Sequence, residues 1–485
     1  MATVKRTPKV VIIGAGVAGI TTAVTLQKAG FHDFLVLEKG GDVGGVWYWN
    51  HYPGLTCDVP SSLYQFSFAP NPDWSHIFAP GSEIQRYMSD VADKFNLRAH
   101  TRFDAEVVAA NYTESGWHVT TADGTEYNAD FVIAATGVLH HPSMPDIEGL
   151  ESFEGDVVHT ARWDDSLNTR GRRIAVIGTG STGVQVVSAL QREAARITHF
   201  VRTAQWVVWA PTGMPQLPLT GAVLRRLPRV NRAVYDTLLW GSGFLADITT
   251  KPTWRRRAVQ GAVRASLRVQ VRDRELREQL TPDYEPFCKR QVVSGSYYRA
   301  IRASNAELVN SKIERITPTG IVTADGRHHD VDLLIFATGF KAHNYMRPMN
   351  LRGRDGLSID DAWDKGPRAY CMSAIPGFPN FFTVLGPNSP TASISLQYSS
   401  EVTARYIARW LERFRDGEIS TVEVTEEATT RFNDGVADAL GPTVWNTGCN
   451  SWYLTEGGTV DLWPYDRATL TRMLSKPDDR DYHLT

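Results

Sequence analysis

Apolar positions along the chain fall into an order that occurs twice. Val10–Ile13 is a compact β-branched run of strand length. Glycines at 14, 16 and 19 follow, then apolar residues at helical spacing through Lys28, then a second strand, Phe34–Leu37, that stops at Glu38. This is one βαβ unit. The order returns with a strand over 174–177, glycines at 178, 180 and 183, a helix to about Ala194 and a strand over 199–201. Two such units predict an α/β protein with two doubly wound, Rossmann-like dinucleotide-binding domains. Two further apolar strands, within 130–137 and 332–339, each end in Thr-Gly, at Thr136-Gly137 and Thr338-Gly339. Such strand ends are predicted exits where the chain crosses between domains. From about Gly221 to Leu280 the pattern changes to Arg and Leu at helical spacing, with Arg255-Arg256-Arg257 standing out. This predicts a helical insertion in the second domain, placed over about 215–285, whose charge reads as a solvated face.

Composition narrows the class. A chain of 485 residues is too long for one simple core and suits two or three domains. An apolar content of 42% and a charged content of 21% fit a globular enzyme, and a net charge of −2 argues against general nucleic-acid binding. The four cysteines, Cys57, Cys288, Cys371 and Cys449, form no CxxC pair. They read as neither a disulfide framework nor a zinc site, no metal is expected, and a reducing cytoplasm is the expected setting. The apolar run near the start is short and passes straight into glycines, so it reads as a buried strand rather than a leader. No stretch of about 18 apolar residues reads as a membrane span.

Each glycine motif follows a strand and opens a helix, which is the context a dinucleotide site requires. In each, the first glycine (Gly14, Gly178) permits the tight turn. The second (Gly16, Gly180) lets the backbone approach a pyrophosphate, and the third (Gly19, Gly183) lets helix and strand pack closely. Ser181 and Thr182 begin the second helix, where unpaired N–H groups face the phosphates. Glu38 can accept both ribose hydroxyls and would repel a 2′-phosphate, which suits FAD or NAD. Arg202 and Thr203, at the matching place in the second unit, favour the 2′-phosphate of NADPH. The assignment is FAD first and NADPH second. An enzyme with both moves a hydride from one to the other, and a disulfide, a quinone or dioxygen could take the electrons. The lack of a CxxC pair weighs against a disulfide reductase.

Two long stretches narrow this further. The first, from Gly44 to Asp58, has the form GGxWxxxxYPGxxxD. The second runs Phe153, Gly155, His159, Trp163 in the form FxGxxxHxxxW, followed by Asp164. Together they resemble the fingerprint and companion motif of the Baeyer–Villiger monooxygenases, within the flavin-containing monooxygenase superfamily. With the two glycine motifs in order, the resemblance covers nearly the whole chain. It implies that NADPH reduces FAD, that O2 adds to the reduced flavin, and that the flavin peroxide attacks a ketone to give an ester or lactone. The family's catalytic arginine lies in a Lys-Arg pair ahead of Tyr-Tyr; here that is Lys289-Arg290 before Tyr297-Tyr298. The resemblance therefore puts the catalytic role on Arg290, which supplies a permanent cation beside an anionic oxygen. It has Asp58 pair with and position Arg290, and Lys289 join Arg202 and Thr203 on the 2′-phosphate. It places Val46, Trp47, Asp58, Tyr64 and Asn388 at FAD, the last within a loop beginning Gly386-Pro387-Asn388, and Trp452 in a mobile loop over the nicotinamide.

Phe153, Gly155, His159 and Trp163 read as a hinge between the two nucleotide domains, with His159 organising the linker and not transferring protons. The expected domains are 1–145 and 341–485 for FAD, the latter with a lid loop, and 146–340 for NADPH. After Asp58 the sequence Val59-Pro60-Ser61-Ser62 departs from the acidic residue common in the family. Trp410, Trp445, Trp452 and Trp463 hint at an apolar substrate. Oxidation of nitrogen or sulfur is the alternative chemistry and does not require the arginine. A non-catalytic dinucleotide-binding regulator is a third reading.

Overall fold

The computed structural model describes residues 6–389 and 394–485. Two parallel five-stranded sheets organise it. In the first, Val10–Ile13 is central, between Phe34–Leu37 and Phe131–Ala134, with Thr101–Arg102 and Phe381–Thr383 at the edges. All four residues of Val10–Ile13 are buried, as are those of Phe131–Ala134. Burial on both faces is why these strands read as unbroken apolar runs rather than alternating ones. In the second sheet Arg173–Ile177 is central, between Arg196–Phe200 and Leu333–Phe336, with Ala306–Val309 and Asp156–His159 at the edges.

The second unit departs from its predicted limits in two places. Its helix is Ser181–Leu190, shorter than predicted, and its next strand starts earlier, at Arg196. Arg196 pairs with Arg173 across the sheet, so the register of the neighbouring strand sets where this one begins.

In each sheet a strand that pairs with the central one is reached through an antiparallel meander instead of a helix. Val107–Thr113, Gly116–Thr121 and Glu126–Ala129 precede Phe131–Ala134. Ile313–Thr317, Gly320–Thr323 and His328–Asp330 precede Leu333–Phe336. In Gly116–Thr121 every second residue is buried (Trp117, Val119, Thr121), the period of a sheet with one covered face.

The fingerprint stretch is built into the second sheet. Asp156–His159 is its edge strand, and the turn Thr160–Arg162 follows. A Cβ on Gly155 would stand 2.5 Å from the Asp332 carbonyl oxygen, so the close approach to the neighbouring strand requires glycine. His159 is buried, and its Nδ1 accepts the Ala161 N–H at 3.1 Å.

The Arg-rich segment is helical, as Pro218–Arg226, Pro228–Thr250, Trp254–Gln270 and Arg274–Gln279. No helix of the described residues is long and apolar enough to cross a membrane. The solvated-face reading needs one correction. Arg255 and Arg257 are exposed, but Arg256 is only 7% exposed. It donates to the carbonyls of Ile248 (2.9 Å), Thr249 (3.0 Å) and Pro442 (3.1 Å). One guanidinium thus satisfies acceptors at the end of Pro228–Thr250 and ties the insertion to the C-terminal region. Removing a buried charged donor strands its acceptors, whereas surface charges matter little. Arg256→Ala is expected to cost about 2–4 kcal/mol and Arg257→Ala less than about 0.5 kcal/mol, read by urea denaturation; equal costs would contradict the buried role.

Candidate active site

The first glycine loop is shaped by close approach. Gly14 has φ +104°, and a Cβ there would lie 2.7 Å from the Ala135 carbonyl oxygen. A Cβ on Gly19 would sit 1.8 Å from the Gly14 carbonyl oxygen, which only glycine tolerates. Gly16 faces Gly45, a Cβ on Gly16 meeting the Gly45 Cα at 3.4 Å, so the two glycine-rich turns meet backbone to backbone. The helix Val17–Lys28 has neither a side-chain cap nor an acidic residue in its first turn. Its first N–H groups are left for an anion. Glu38 is buried, and its carboxylate accepts the N–H of Ala15 and of Gly40, each at 2.7 Å. Burial pushes this carboxyl up from its usual range while the two N–H groups oppose the rise. Each oxygen retains acceptor capacity for a hydroxyl.

A cavity of about 320 Å³ extends from this loop. Gly14, Gly16, Glu38, Val46 and Tyr64 line it, as do Arg290 and Trp452. Trp47 is not in its wall. Its Nε1 donates to the Tyr64 hydroxyl at 2.9 Å and so holds a residue that is. Trp49, Lys39 and His140 also line the cavity and were not singled out from the sequence. His140 follows the Thr136-Gly137 strand end, the one signal that could have pointed to it. Burial pushes its imidazole down to about 4, and its Nε2 lies 2.7 Å from the Tyr345 carbonyl oxygen, so the neutral ring donates there.

The second glycine loop repeats the packing. A Cβ on Gly178 (φ +121°) would meet the Ala337 carbonyl oxygen at 2.2 Å, and one on Gly183 the Gly178 carbonyl oxygen at 2.1 Å. Around Gly180 there is open space. The helix begins at Ser181 and Thr182, again with neither a side-chain cap nor an acidic first turn. His199 braces the loop: its Nε2 lies 2.8 Å from the Gly178 carbonyl oxygen and its Nδ1 3.0 Å from the Tyr297 hydroxyl. Arg202 is exposed and Thr203 half-buried. Arg202 and Lys289 have no hydrogen-bond or ion-pair partner among the described residues, and Lys289 rests 4.4 Å from the Tyr284 ring centre. Burial lowers the Lys289 ammonium below its usual value; the Asp283 carboxylate opposes the shift, and Arg202 adds to it as a like charge nearby. Two unpaired cations side by side fit a doubly charged phosphate.

The motif GGxWxxxxYPGxxxD joins the two units. The Tyr52 hydroxyl donates to Gln185 at 2.9 Å, and Gln185 Nε2 donates to the Thr56 carbonyl at 2.9 Å. Gly54 (φ +83°) lies so close to the second helix that a Cβ would stand 2.8 Å from the Gln185 carbonyl oxygen. This docking carries Asp58 to Arg290. Arg290 Nη2 donates to Asp58 Oδ2 at 2.8 Å and Oδ1 at 2.9 Å, and Nε to Oδ2 at 3.1 Å. Asp58 holds the guanidinium well above its ordinary pKa, against the effect of burial. The side chain nevertheless remains 43% exposed, on the cavity side.

Trp452 and Tyr453 line the cavity, their rings 4.6 Å apart. Trp410, Trp445 and Trp463 are fully buried core residues, so of the four tryptophans only Trp452 can touch a substrate. Asn388 is buried at φ +63°, and its backbone N–H donates to Asp461 Oδ1 at 2.5 Å; its neighbour Ser389 lines the cavity. The remainder of that predicted loop, Pro390 and Thr391, lies outside the described residues. One reading is overturned: Cys288 and Cys449 form a disulfide, with Cα atoms 6.2 Å apart across 161 residues of sequence. Cys57 and Cys371 are buried free thiols. Sequence spacing carries no information on such a pairing.

Residues 11–233 match the pyridine nucleotide-disulphide oxidoreductase family. An uncharacterized monooxygenase of Mycobacterium tuberculosis is 47% identical over 99% of this chain and 96% of its own length. A Baeyer–Villiger monooxygenase of Streptomyces coelicolor is 37% identical over 98% of this chain and 92% of its own length. Among solved structures, OTEMO in complex with FAD and NADP superposes with a TM-score of 0.88 at 28% identity, covering 99% of this chain and all of that one. Cyclohexanone monooxygenase from Rhodococcus sp. Phi1, bound to NADP+, gives 0.87 at 31% identity over 99% of both chains. With two glycine cradles joined through a buttressed arginine, and with relatives of this kind along its full length, the chain belongs to the Baeyer–Villiger monooxygenases.

Proposed function

We propose that this chain binds FAD in the first cradle and NADPH in the second, and inserts one oxygen atom of O2 beside a ketone carbonyl to give an ester or lactone. The observation that carries the reading is the Asp58–Arg290 pair, a bidentate contact that leaves the guanidinium open on the cavity side. Bound FAD supplies the transfer of electrons from NADPH to O2. The residues present fit that cofactor: the uncapped helix start takes the pyrophosphate, Glu38 a ribose, and Val46 and Tyr64 line the space beyond.

Nucleophilic attack on a ketone requires negative charge on the attacking oxygen. Arg290 stabilises that charge because a guanidinium does not lose its proton, and Asp58 fixes its plane. Heteroatom oxidation uses the protonated, electrophilic form and has no need of the cation, so Arg290 separates the two chemistries. Trp452 and Tyr453 shield the same space from water. The substrate is a small ketone taken up beside the cofactor, where Arg290, Trp452 and Tyr453 line the cavity.

Arg290→Ala is expected to leave NADPH-driven bleaching of the flavin within about tenfold and to lower ester formation by about 100-fold or more, the usual loss when an oxyanion-stabilising donor is removed. Ester formation near the native rate would assign the chemistry elsewhere, and a sulfoxide as the main product from a ketone–sulfide panel would favour the heteroatom reaction. Lys289→Ala and Arg202→Ala are each expected to raise KM for NADPH about tenfold or more while changing KM for NADH little, because only NADPH carries the 2′-phosphate. Equal effects on the two nucleotides, in steady-state kinetics, would move the phosphate site away from this pair.

A further inference from the structure

The disulfide lies where its state bears on the reacting end of the cavity. Cys288 immediately precedes Lys289-Arg290, and Cys449 lies three residues before Trp452. The bond therefore ties the arginine segment to the loop that carries the cavity's aromatic wall.

The two sides of the tie are unequal. On the arginine side, Val292–Val293 pairs with Val207–Val208, Gln291 donates to the Trp206 carbonyl, and Arg290 is locked on Asp58. On the other side, residues 447–459 hydrogen-bond within the segment or to its immediate flanks, as in Leu454 to Ser451, Thr455 to Thr459 and Asp461 to Tyr453. Among the described residues, one hydrogen bond leaves it: the Thr447 hydroxyl on Cys288 Sγ at 3.3 Å, beside the disulfide itself. Apart from the packing of Cys449 and Tyr453 into the core, the disulfide is what fastens this loop to the arginine segment. The covalent bond thus restrains the loop, and its loss frees the loop without displacing Arg290. Cys288 is fully buried and Cys449 is 5% exposed, so exchange requires the loop to lift first.

We propose that Cys288 and Cys449 are a redox-modification site, in which exchange with a dithiol–disulfide couple makes or releases a covalent clamp holding the Trp452 loop over Arg290. Starting from two thiols, a thiolate attacks a disulfide such as oxidised glutathione. This forms a mixed disulfide and expels one glutathione thiolate. The second cysteine then attacks the mixed disulfide, expels the second glutathione and closes the Cys288–Cys449 bond. Two electrons and two protons leave the protein and two glutathiones are the reduced products. Reduction by an excess of thiol runs the same steps backward. In the clamped form small molecules enter and leave through a restrained loop, and turnover limited by release slows.

The proposal rests on the placement of Arg290 and Trp452 at the reacting end of the cavity, and its first readouts do not depend on turnover. The FAD-loaded full-length enzyme is equilibrated with oxidised or reduced glutathione and digested. A Cys288–Cys449 linked peptide, about 2 Da lighter than the two thiol peptides combined, is expected in the oxidised sample and is absent from the reduced one. Limited proteolysis within 447–459 is expected to be about tenfold faster in the reduced enzyme. With NADPH, O2 and a ketone, kcat is expected to be severalfold lower for the clamped form. Cys449→Ser and Cys288→Ser should match the reduced enzyme in both glutathione mixtures, while Cys371→Ser should still respond. Absence of the linked peptide would overturn the proposal. So would equal proteolysis and kcat in the two forms, or a Cys449→Ser enzyme that still responds to glutathione. If no ester forms in either state, the peptide map and proteolysis still decide the clamp, and the failure falls on the proposed reaction alone.

Discussion

The contact between Asp58 and Arg290 joins residues 232 positions apart, and the arrangement around the cavity depends on it. As a partly exposed ion pair it contributes little to stability, on the order of 1 kcal/mol or less. Its value is positional. Bidentate geometry fixes the plane of the guanidinium as well as its place, and a cation fixed in advance does not have to reorganise when charge develops beside it. The pair exists because two independent anchorages deliver its halves. Asp58 arrives on a loop docked against the second helix through Tyr52, Gly54 and Gln185. Arg290 arrives just before the short pairing of Val292–Val293 with Val207–Val208. The long motif around Tyr52-Pro53-Gly54 is therefore a docking device between the two nucleotide units as much as part of either.

The two cradles share their packing and differ in the chemistry at their rims. In each, the first glycine crosses close to a neighbouring strand and the third packs onto the first, leaving an uncapped helix start. Glycine at both N-caps, Gly16 and Gly180, gives up only a few tenths of a kcal/mol relative to a good cap. It leaves the first N–H groups of each helix without a side-chain partner. What distinguishes the cradles is the residue after the second strand, a buried carboxylate at Glu38 and an exposed cation at Arg202.

The remaining walls come from segments remote in sequence. The strand end at Thr136-Gly137 leads into the cavity wall at His140, the buried Asp461 receives the Asn388 N–H, and the 447–459 loop is bonded to the arginine segment through Cys449. Arg256 ties the helical insertion to Pro442, just ahead of that loop. The 447–459 loop thus has a covalent link to the arginine segment, and the residues just ahead of it a hydrogen-bonded link to the helical insertion.

The amino-acid sequence by itself determined what depends on near neighbours. Apolar runs bounded by glycines specified both βαβ units, and the charges after their second strands, Glu38 and Arg202, were legible beside them. The Lys289-Arg290 pair and the run ending at Asp58 were legible because they sit in long contiguous patterns. Tertiary structure decided what depends on which distant segments meet. The fingerprint around His159, read as a hinge, contributes the edge strand Asp156–His159 because Leu333–Phe336 offers it a partner. Arg256 looks no different from Arg255 and Arg257 in sequence, yet it is buried because its helical position faces the carbonyls of Ile248 and Thr249. Trp410, Trp445 and Trp463 fill the core while Trp452 lines the cavity, a choice made by packing and not by residue type. Cys288 and Cys449 bond because folding brings their Cα atoms to 6.2 Å, and no local pattern records a distance across 161 residues.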